Sequence, residues 1–87
     1  MRLGLIGLGQ WGLRYAQTIA RLPEMSLCSV ATGRSDVDDC ALNGVEIVPH
    51  WTELSPKVLD AVIVANASRD HGEAALWALR AGLPVLV

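Results

Sequence analysis

Gly7-Leu8-Gly9-Gln10-Trp11-Gly12 is the stretch on which the reading of this chain turns. A short apolar run, Arg2 to Gly7, leads into it, and a segment of helical period, Gln10 to Leu22, leads out. Leu13, Ala16, Ile19 and Ala20 fall on one side of that helix, and Arg14, Gln17, Thr18 and Arg21 on the other. Pro23 predicts its end. Three glycines spaced G-x-G-x-x-G between a strand and a helix each have a physical reason. Gly7 permits the tight turn out of the strand. Gly9 leaves the backbone bare, so that a phosphate group can approach. Gly12 lets the helix pack closely on the sheet. Amides of the first helical turn and the helix dipole then favour an anion. The plainer reading, a glycine-rich turn with no ligand, has to explain conformational entropy that an ordinary turn need not lose.

Outward from the loop, strands and helices alternate. Ser26 to Thr32 reads as a second strand, with Leu27, Cys28, Val30 and Ala31 as its apolar content. Residues 33–43 are polar and read as a loop with a short helix, and Val45 to Val48 as a brief third strand. Thr52 to Lys57 reads as a turn or a single helical turn, broken at Pro56. Leu59-Asp60-Ala61-Val62-Ile63-Val64-Ala65 is the clearest buried strand. Arg69 to Ala81 predicts a second long helix that packs through Ala74, Ala75, Ala78 and Leu79, with Gly82 as its C-terminal cap. Leu83 to Val87 opens a fifth strand. This alternation predicts an α/β, doubly wound parallel sheet of the Rossmann type, and right-handed crossovers give the strand order 3-2-1-4-5. The sequence stops within strand five. Residues 1–87 are therefore expected to be the N-terminal part of a longer protein, one dinucleotide-binding domain without its partner domain.

Composition agrees. Eighty-seven residues make one domain at most, and 52% are hydrophobic, chiefly Ala, Val, Leu and Ile, as in a sheet buried on both faces. Net charge is −2 with scattered arginines, so no basic stripe exists to track nucleic acid. No apolar run reaches the ~18 residues a membrane span requires, and a signal peptide before strand one is not expected. Neither nucleic acid nor membrane is an expected partner, and a cytoplasmic location is expected. Cys28 and Cys40 lack metal-type spacing; Cys28 reads as a buried thiol, no disulfide is expected, and no metal site.

The end of strand two bears on the choice of ligand. An acid about 20 residues past such a loop would hold a ribose 2′-hydroxyl and signal NAD. Here the run is Thr32-Gly33-Arg34-Ser35. Arg34 can grip a 2′-phosphate, and Thr32 and Ser35 can add hydroxyl donors, which favours NADP over NAD. Arg34 as a solvated loop residue is the competing reading, and Asp36, Asp38 and Asp39 weaken the local positive potential. Within the loop, Trp11 reads equally as a partly buried packing residue or as a wall beside the pyrophosphate, and Gln10 as a possible side-chain donor there. His50 and Trp51 read as a locally packed loop pair. Trp77 is either semi-exposed or faces material outside this sequence. Asp60, Glu53 and Glu73 form no carboxylate pair.

With these parts placed, the sequence resembles, over its whole length, the N-terminal domain of the glucose-fructose oxidoreductase / inositol dehydrogenase / MocA family. The glycine loop is shared with many Rossmann proteins. More specific are Leu59-Asp60-Ala61-Val62-Ile63-Val64-Ala65, His71-Gly72-Glu73-Ala74-Ala75-Leu76 and Ala81-Gly82-Leu83-Pro84-Val85-Leu86-Val87. The resemblance implies a two-domain, NAD(P)-dependent oxidoreductase acting on sugars, cyclitols or related small molecules. It implies that Asn66, Ala67, Ser68 and His71 line the cofactor, His71 towards the nicotinamide end. The family often has Thr-Pro where this chain has Asn66-Ala67, which leaves the shape of that loop open. The family's proton-transferring lysine falls beyond Val87, so no catalytic residue is expected within these 87 residues. A homo-oligomer is an open expectation. Two other functions compete. One is a non-catalytic dinucleotide-binding regulatory or interaction module, which a fold alone does not exclude. The other is an S-adenosylmethionine-dependent methyltransferase, disfavoured because Thr32 stands where an acid is usual.

Overall fold

Each apolar run of the sequence becomes a strand of one sheet. The computed structural model describes residues 1–33, 40–66 and 68–86. Strand β1 is Arg2–Ile6, helix α1 Gln10–Ile19, β2 Ser26–Ala31, β3 Glu46–Val48, β4 Ala61–Val64, helix α2 Ser68–Arg80 and β5 Val85–Leu86. Single 3-10 turns at Cys40–Leu42, Trp51–Glu53 and Pro56–Val58 join β2 to β3 and β3 to β4. The sheet has five strands in the order β3-β2-β1-β4-β5, and every pair is parallel. This is the predicted doubly wound order.

The period of two along the central strands divides the core between the faces of the sheet. Leu3 and Leu5 of β1 and Ala61 and Ile63 of β4 join Ala16 and Ile19 of α1 on one side. Ile6, Val62 and Val64 join Ala74 and Ala78 of α2, with Leu54 and Leu59 from the β3–β4 connection, on the other. All four residues of β4 are buried, as a strand covered on both faces must be. Asp60 ties the sheet together: its carboxylate accepts from the Arg2 amide at 2.7 Å, and its own amide donates to the Arg2 carbonyl at 2.7 Å.

Both helices present narrower packing faces than their periodicity suggests. In α1 the buried stripe is Gly12, Ala16 and Ile19. Ala20, expected in the core, forms the C-cap and is exposed, because the helix ends there, before Pro23. In α2, Ala74 and Ala78 are fully buried one turn apart, whereas Leu79, expected beside them, is 61% exposed. Two small residues bring the helix close to the sheet, and a residue 100° further round then points to water. Pro56 opens a turn rather than breaking one. It occupies the first position of Pro56–Val58, where its missing N–H costs nothing. Gly82 is the expected cap, with φ +80°. The Leu83 amide donates to the Ala78 carbonyl at 2.9 Å and the Gly82 amide to that of Leu79 at 3.1 Å, the paired bonds of a Schellman ending. Among the described residues, no helix is long and apolar enough to cross a membrane.

Candidate functional site

The carboxyl ends of the strands are laced together where the glycine loop begins. The Gly7 amide donates to Ala31 at 2.8 Å, Ala65 to Ile6 at 2.7 Å and Thr32 to Val48 at 2.9 Å. Gly7 turns the chain out of β1 at φ +96°, and a Cβ there would stand 2.5 Å from the backbone N and Cα of Asn66. Only glycine lets the β1 and β4 exits approach this closely. Gly12 is buried with its Cα against the loop itself, since a Cβ would run into the Gly7 carbonyl. The close contact expected between α1 and the sheet is made to the turn that feeds the helix. Gly9 differs from both. It is exposed, its φ is −75°, and a Cβ would meet nothing within 4 Å. It is the N-cap of α1 and has no side chain to occupy the free amides of the first turn.

The remaining loop residues sort by burial. The Leu8 side chain lies in the core on the α1 side, so only its backbone can face a ligand. Gln10 is exposed. Trp11 is 63% exposed, with the Arg14 guanidinium 5.0 Å from its ring centroid. The packed reading of Trp11 therefore does not hold: its contact is a surface cation–π pair.

Beside the loop a cleft of about 190 Å³ opens on the α2 side of the sheet. Ile6, Gly7, Ala31, Thr32 and Gly33 form one part of its lining; Pro49, His50 and Trp51 form another, with Asn66 and Asp70 completing it. The ends of four strands thus meet there, at the point where the strand order reverses between β1 and β4. Thr32 is buried at the end of β2, and Gly33 is exposed. Both side-chain atoms of the Asn66 carboxamide, Nδ2 and Oδ1, are buried without a hydrogen-bond partner. A buried amide in that state costs about 1–3 kcal/mol per unsatisfied group. The Asn66 backbone is held from behind by the half-buried His71, whose Nε2–H donates to the Asn66 carbonyl. Thus His71 contacts the strand-four exit. Ser68 begins α2. Arg34, Ser35 and Ala67 lie outside the described residues, so the phosphate-gripping reading of Arg34 has no geometry here.

Sequence reasoning missed three members of the cleft. His50 and Trp51 do pack locally, with ring centroids 3.9 Å apart and planes tilted by 30°. The Nδ1 of His50 accepts from the Thr52 amide at 3.3 Å. The same pair also walls the cleft. Asp70, in the first turn of α2, joins the lining from the opposite side. The signal was available in principle, because the loop after β3 must reach the carboxyl edge of a parallel sheet, where ligands of such folds bind. Among the described residues no group of three or more His, Cys, Asp or Glu side chains could hold a metal ion.

No protein-family model matches the sequence, and no curated protein matches it. Solved structures do. Scyllo-inositol dehydrogenase from Lactobacillus casei, solved with NAD(H) and scyllo-inositol bound, is similar over 98% of this chain at 27% identity, with a TM-score of 0.86. A protein from Magnetospirillum magnetotacticum MS-1, inferred to be an oxidoreductase, is similar over 98% of the chain at 36% identity and a TM-score of 0.79. D-galactose-1-dehydrogenase from Rhizobium etli, at 24% identity and a TM-score of 0.82, adds a likeness of fold. The chain spans about a quarter of the length of these proteins, 26%, 28% and 27% respectively. Loop, strand order and neighbours agree with the resemblance read from the residues: the chain has a Rossmann fold, and its solved neighbours are inositol dehydrogenases and related oxidoreductases of the glucose-fructose oxidoreductase / inositol dehydrogenase / MocA family.

Proposed function

We propose that this chain is the nicotinamide-dinucleotide-binding part of an oxidoreductase. The full protein would transfer hydride between NAD(P)(H) and a sugar, cyclitol or related small molecule. One observation carries the reading. An uncapped helix N-terminus with a bare, open Gly9 adjoins a cleft that holds an unsatisfied Asn66 carboxamide, in a fold similar to an inositol dehydrogenase solved with NAD(H). The residues fit the cofactor. Free amides of the first turn of α1 suit the pyrophosphate, and the space over Gly9 lets it approach. Gly7 and Gly12 shape the turn; Leu8, Gln10 and Trp11 flank it. Thr32, Gly33, Arg34 and Ser35 would meet the adenosine ribose, with NADP favoured over NAD. Asn66, Ala67, Ser68 and His71 would border the cofactor beyond β4.

The bound nicotinamide would supply the redox chemistry by accepting or releasing hydride. This chain's residues bind and orient. The amides of α1 fix the phosphates, and the Gly7–Asn66 contact fixes the width of the groove. His71 holds the Asn66 backbone in place. Residues 1–87 act as the cofactor domain, and the groups that hold substrate and move its proton belong to a second domain. Titration of the chain with NADPH and NADH, followed by calorimetry, tests this reading. Saturable binding that Gly9→Val removes from a still-folded protein supports it. A folded chain that binds neither cofactor overturns it.

A further inference from the structure

We infer that the outer face of α2 is a self-association surface. It fits a second copy of this chain, packed antiparallel about a two-fold axis that passes between Leu76 and Trp77. None of the residues that make this face, Gly72, Glu73, Leu76, Trp77, Arg80 and Ala81, is assigned to the cofactor.

Ala74 and Ala78 turn α2 towards the sheet, and both are fully buried. Further round the helix, positions four apart form two adjoining rows, Gly72-Leu76-Arg80 and Glu73-Trp77-Ala81. Ala81 follows the last helical residue and still donates its amide to the Trp77 carbonyl at 3.0 Å, so it continues the second row. Gly72, Glu73, Leu76 and Arg80 are exposed, and Trp77 and Ala81 are half-buried. Leu76 leaves 46% of its surface to water, whereas Trp77 rests on the core from one side. Beside this face the surface dips into a hollow of about 380 Å³, with Trp51 and Thr52 on one bank and Glu73, Leu76, Trp77 and Arg80 on the other. Two tryptophans and a leucine make the hollow mainly apolar, and one acid and one base stand at its ends.

Three features select a second copy as the occupant. The first is charge. Glu73 and Arg80 stand about 10.5 Å apart along the axis, at 1.5 Å per residue, and their midpoint falls between Leu76 and Trp77. Turning a second helix end over end about that midpoint sets Glu73 of each copy opposite Arg80 of the other, so both ends of the crossing are matched at once. A partner of a single charge sign would match one end and oppose the other. The second is exchange of the rows. The same rotation lays Gly72-Leu76-Arg80 of one copy along Ala81-Trp77-Glu73 of the other, as a two-fold contact requires: where one residue meets another, the second must meet the first. Leu76 then lies against Trp77 of the other copy at the mouth of the hollow, an apolar centre within a charged rim. The third is Gly72. It lies inside α2, has no left-handed φ, and a Cβ there would meet nothing within 4 Å. Glycine in a helix interior costs about 1 kcal/mol relative to alanine, and nothing within the chain requires it. Opposite Ala81 of the other copy, it keeps both ends of the crossing small, so that the two helices approach closely. The face offers fewer residues than the roughly 20–30 a side of a standard interface, so a weak dimer is expected, with a Kd on the order of 100 µM.

The test is sedimentation equilibrium of the 87-residue chain, from about 10 µM to about 1 mM so as to bracket that Kd. Monomer is expected to pass to dimer over this range. Glu73→Arg and Arg80→Glu, both at exposed positions, each set like charges against each other at both ends of the crossing. Each variant alone is expected to dimerise more weakly than the parent by on the order of tenfold or more. Mixed in equal amounts, the two variants present a basic face to an acidic one and are expected to form a mixed dimer at least as strong as the parent's. Recovery on mixing separates lost pairing from lost folding, because a misfolded variant gains nothing from the other. Leu76→Ser is expected to abolish the dimer. A chain that stays monomeric up to about 1 mM, ten times the expected Kd, overturns the inference. So does a dimer that persists unchanged in both charge variants, or a pair of folded variants that fail to associate when mixed. A dimer indifferent to Glu73 and Arg80 but lost on Leu86→Lys places association at the β5 edge and overturns it as well.

Discussion

Gly7 and Gly9 stand two residues apart in one loop, and the structure predicts opposite consequences for adding a side chain to each. At Gly7 the backbone sits at φ +96°, a region L-residues rarely adopt, and the new Cβ would stand 2.5 Å from two backbone atoms of Asn66. The left-handed conformation costs about 1–2 kcal/mol for a residue with a Cβ. Forcing apart two strand exits adds about 1–3 kcal/mol, the usual cost of overpacking. Gly7→Ala should therefore lose about 2–5 kcal/mol. A chain of this size has roughly 4–13 kcal/mol in all, at 0.05–0.15 kcal/mol per residue. With about 4–8 °C of melting temperature per kcal/mol in small domains, a fall of at least ~8 °C should follow. At Gly9 the backbone is ordinary and the space is open. Gly9→Val should cost no more than about 1 kcal/mol, since valine is a poorer N-cap than glycine, and should abolish cofactor binding by filling the approach to the helix amides. Thermal unfolding followed by circular dichroism, beside calorimetric titration with NADPH, measures both. A Gly7→Ala chain as stable as the parent, or a Gly9→Val chain that binds NADPH unchanged, would refute the division of roles within the loop.

Three further outcomes are expected. Cofactor preference should run to NADPH over NADH, and Arg34→Ala should remove about 1–3 kcal/mol of NADPH affinity, the scale of a charge-assisted contact; fluorescence titrations that give equal affinities would contradict this. The 87 residues alone should produce no absorbance change at ~340 nm with NAD⁺ or NADP⁺ and a panel of sugars and cyclitols, that band being the reduced cofactor's, since general acid–base help worth roughly 10²–10⁴ in rate is expected from outside these residues; turnover lost on His71→Ala would place catalysis in this chain. Gly82→Ala, at φ +80° but with open space around its Cα, should cost about 1–2 kcal/mol from backbone conformation alone, and a denaturation midpoint equal to the parent's would show that the end of α2 can close without a left-handed residue.

The fold was legible because its strongest signals are local. Three glycines between a strand and a helix, a Leu59 to Ala65 run broken only by Asp60 and a glycine after a helical stretch each act through neighbouring backbone, and the structure places a turn, a buried strand and a Schellman ending there. Depth of burial was less legible. Ala20 and Leu79 satisfy the helical period, yet both face water, because the width of a packing stripe depends on how close the helix lies and where it stops. Trp11 reads equally as a packing residue or as a wall of the loop by its chemistry, and is exposed because α1 begins there, at the rim of the sheet. Of the candidate site, the turn-forming glycines and Asn66 were named from the sequence, and the structure brings Gly7 and Asn66 together at the cleft. His50, Trp51 and Asp70 were not assigned to it, since only the parallel topology brings the loop after β3 beside the exit of β4. Nor does a sequence reveal an unsatisfied amide. Asn66 looked like a departure from a family's Thr-Pro, and its buried, partnerless carboxamide is a property of the folded chain.

The central claim is that this chain holds a nicotinamide dinucleotide across its glycine loop. Isothermal calorimetry of the folded chain against NADPH, with the amide spectrum recorded at each addition, tests it most directly. The account predicts saturable binding, with the largest shifts at the amides of Gly9, Gln10, Trp11 and Gly12. Saturable binding whose shifts leave those four amides untouched, or no binding at all by a chain with a native spectrum, would contradict it.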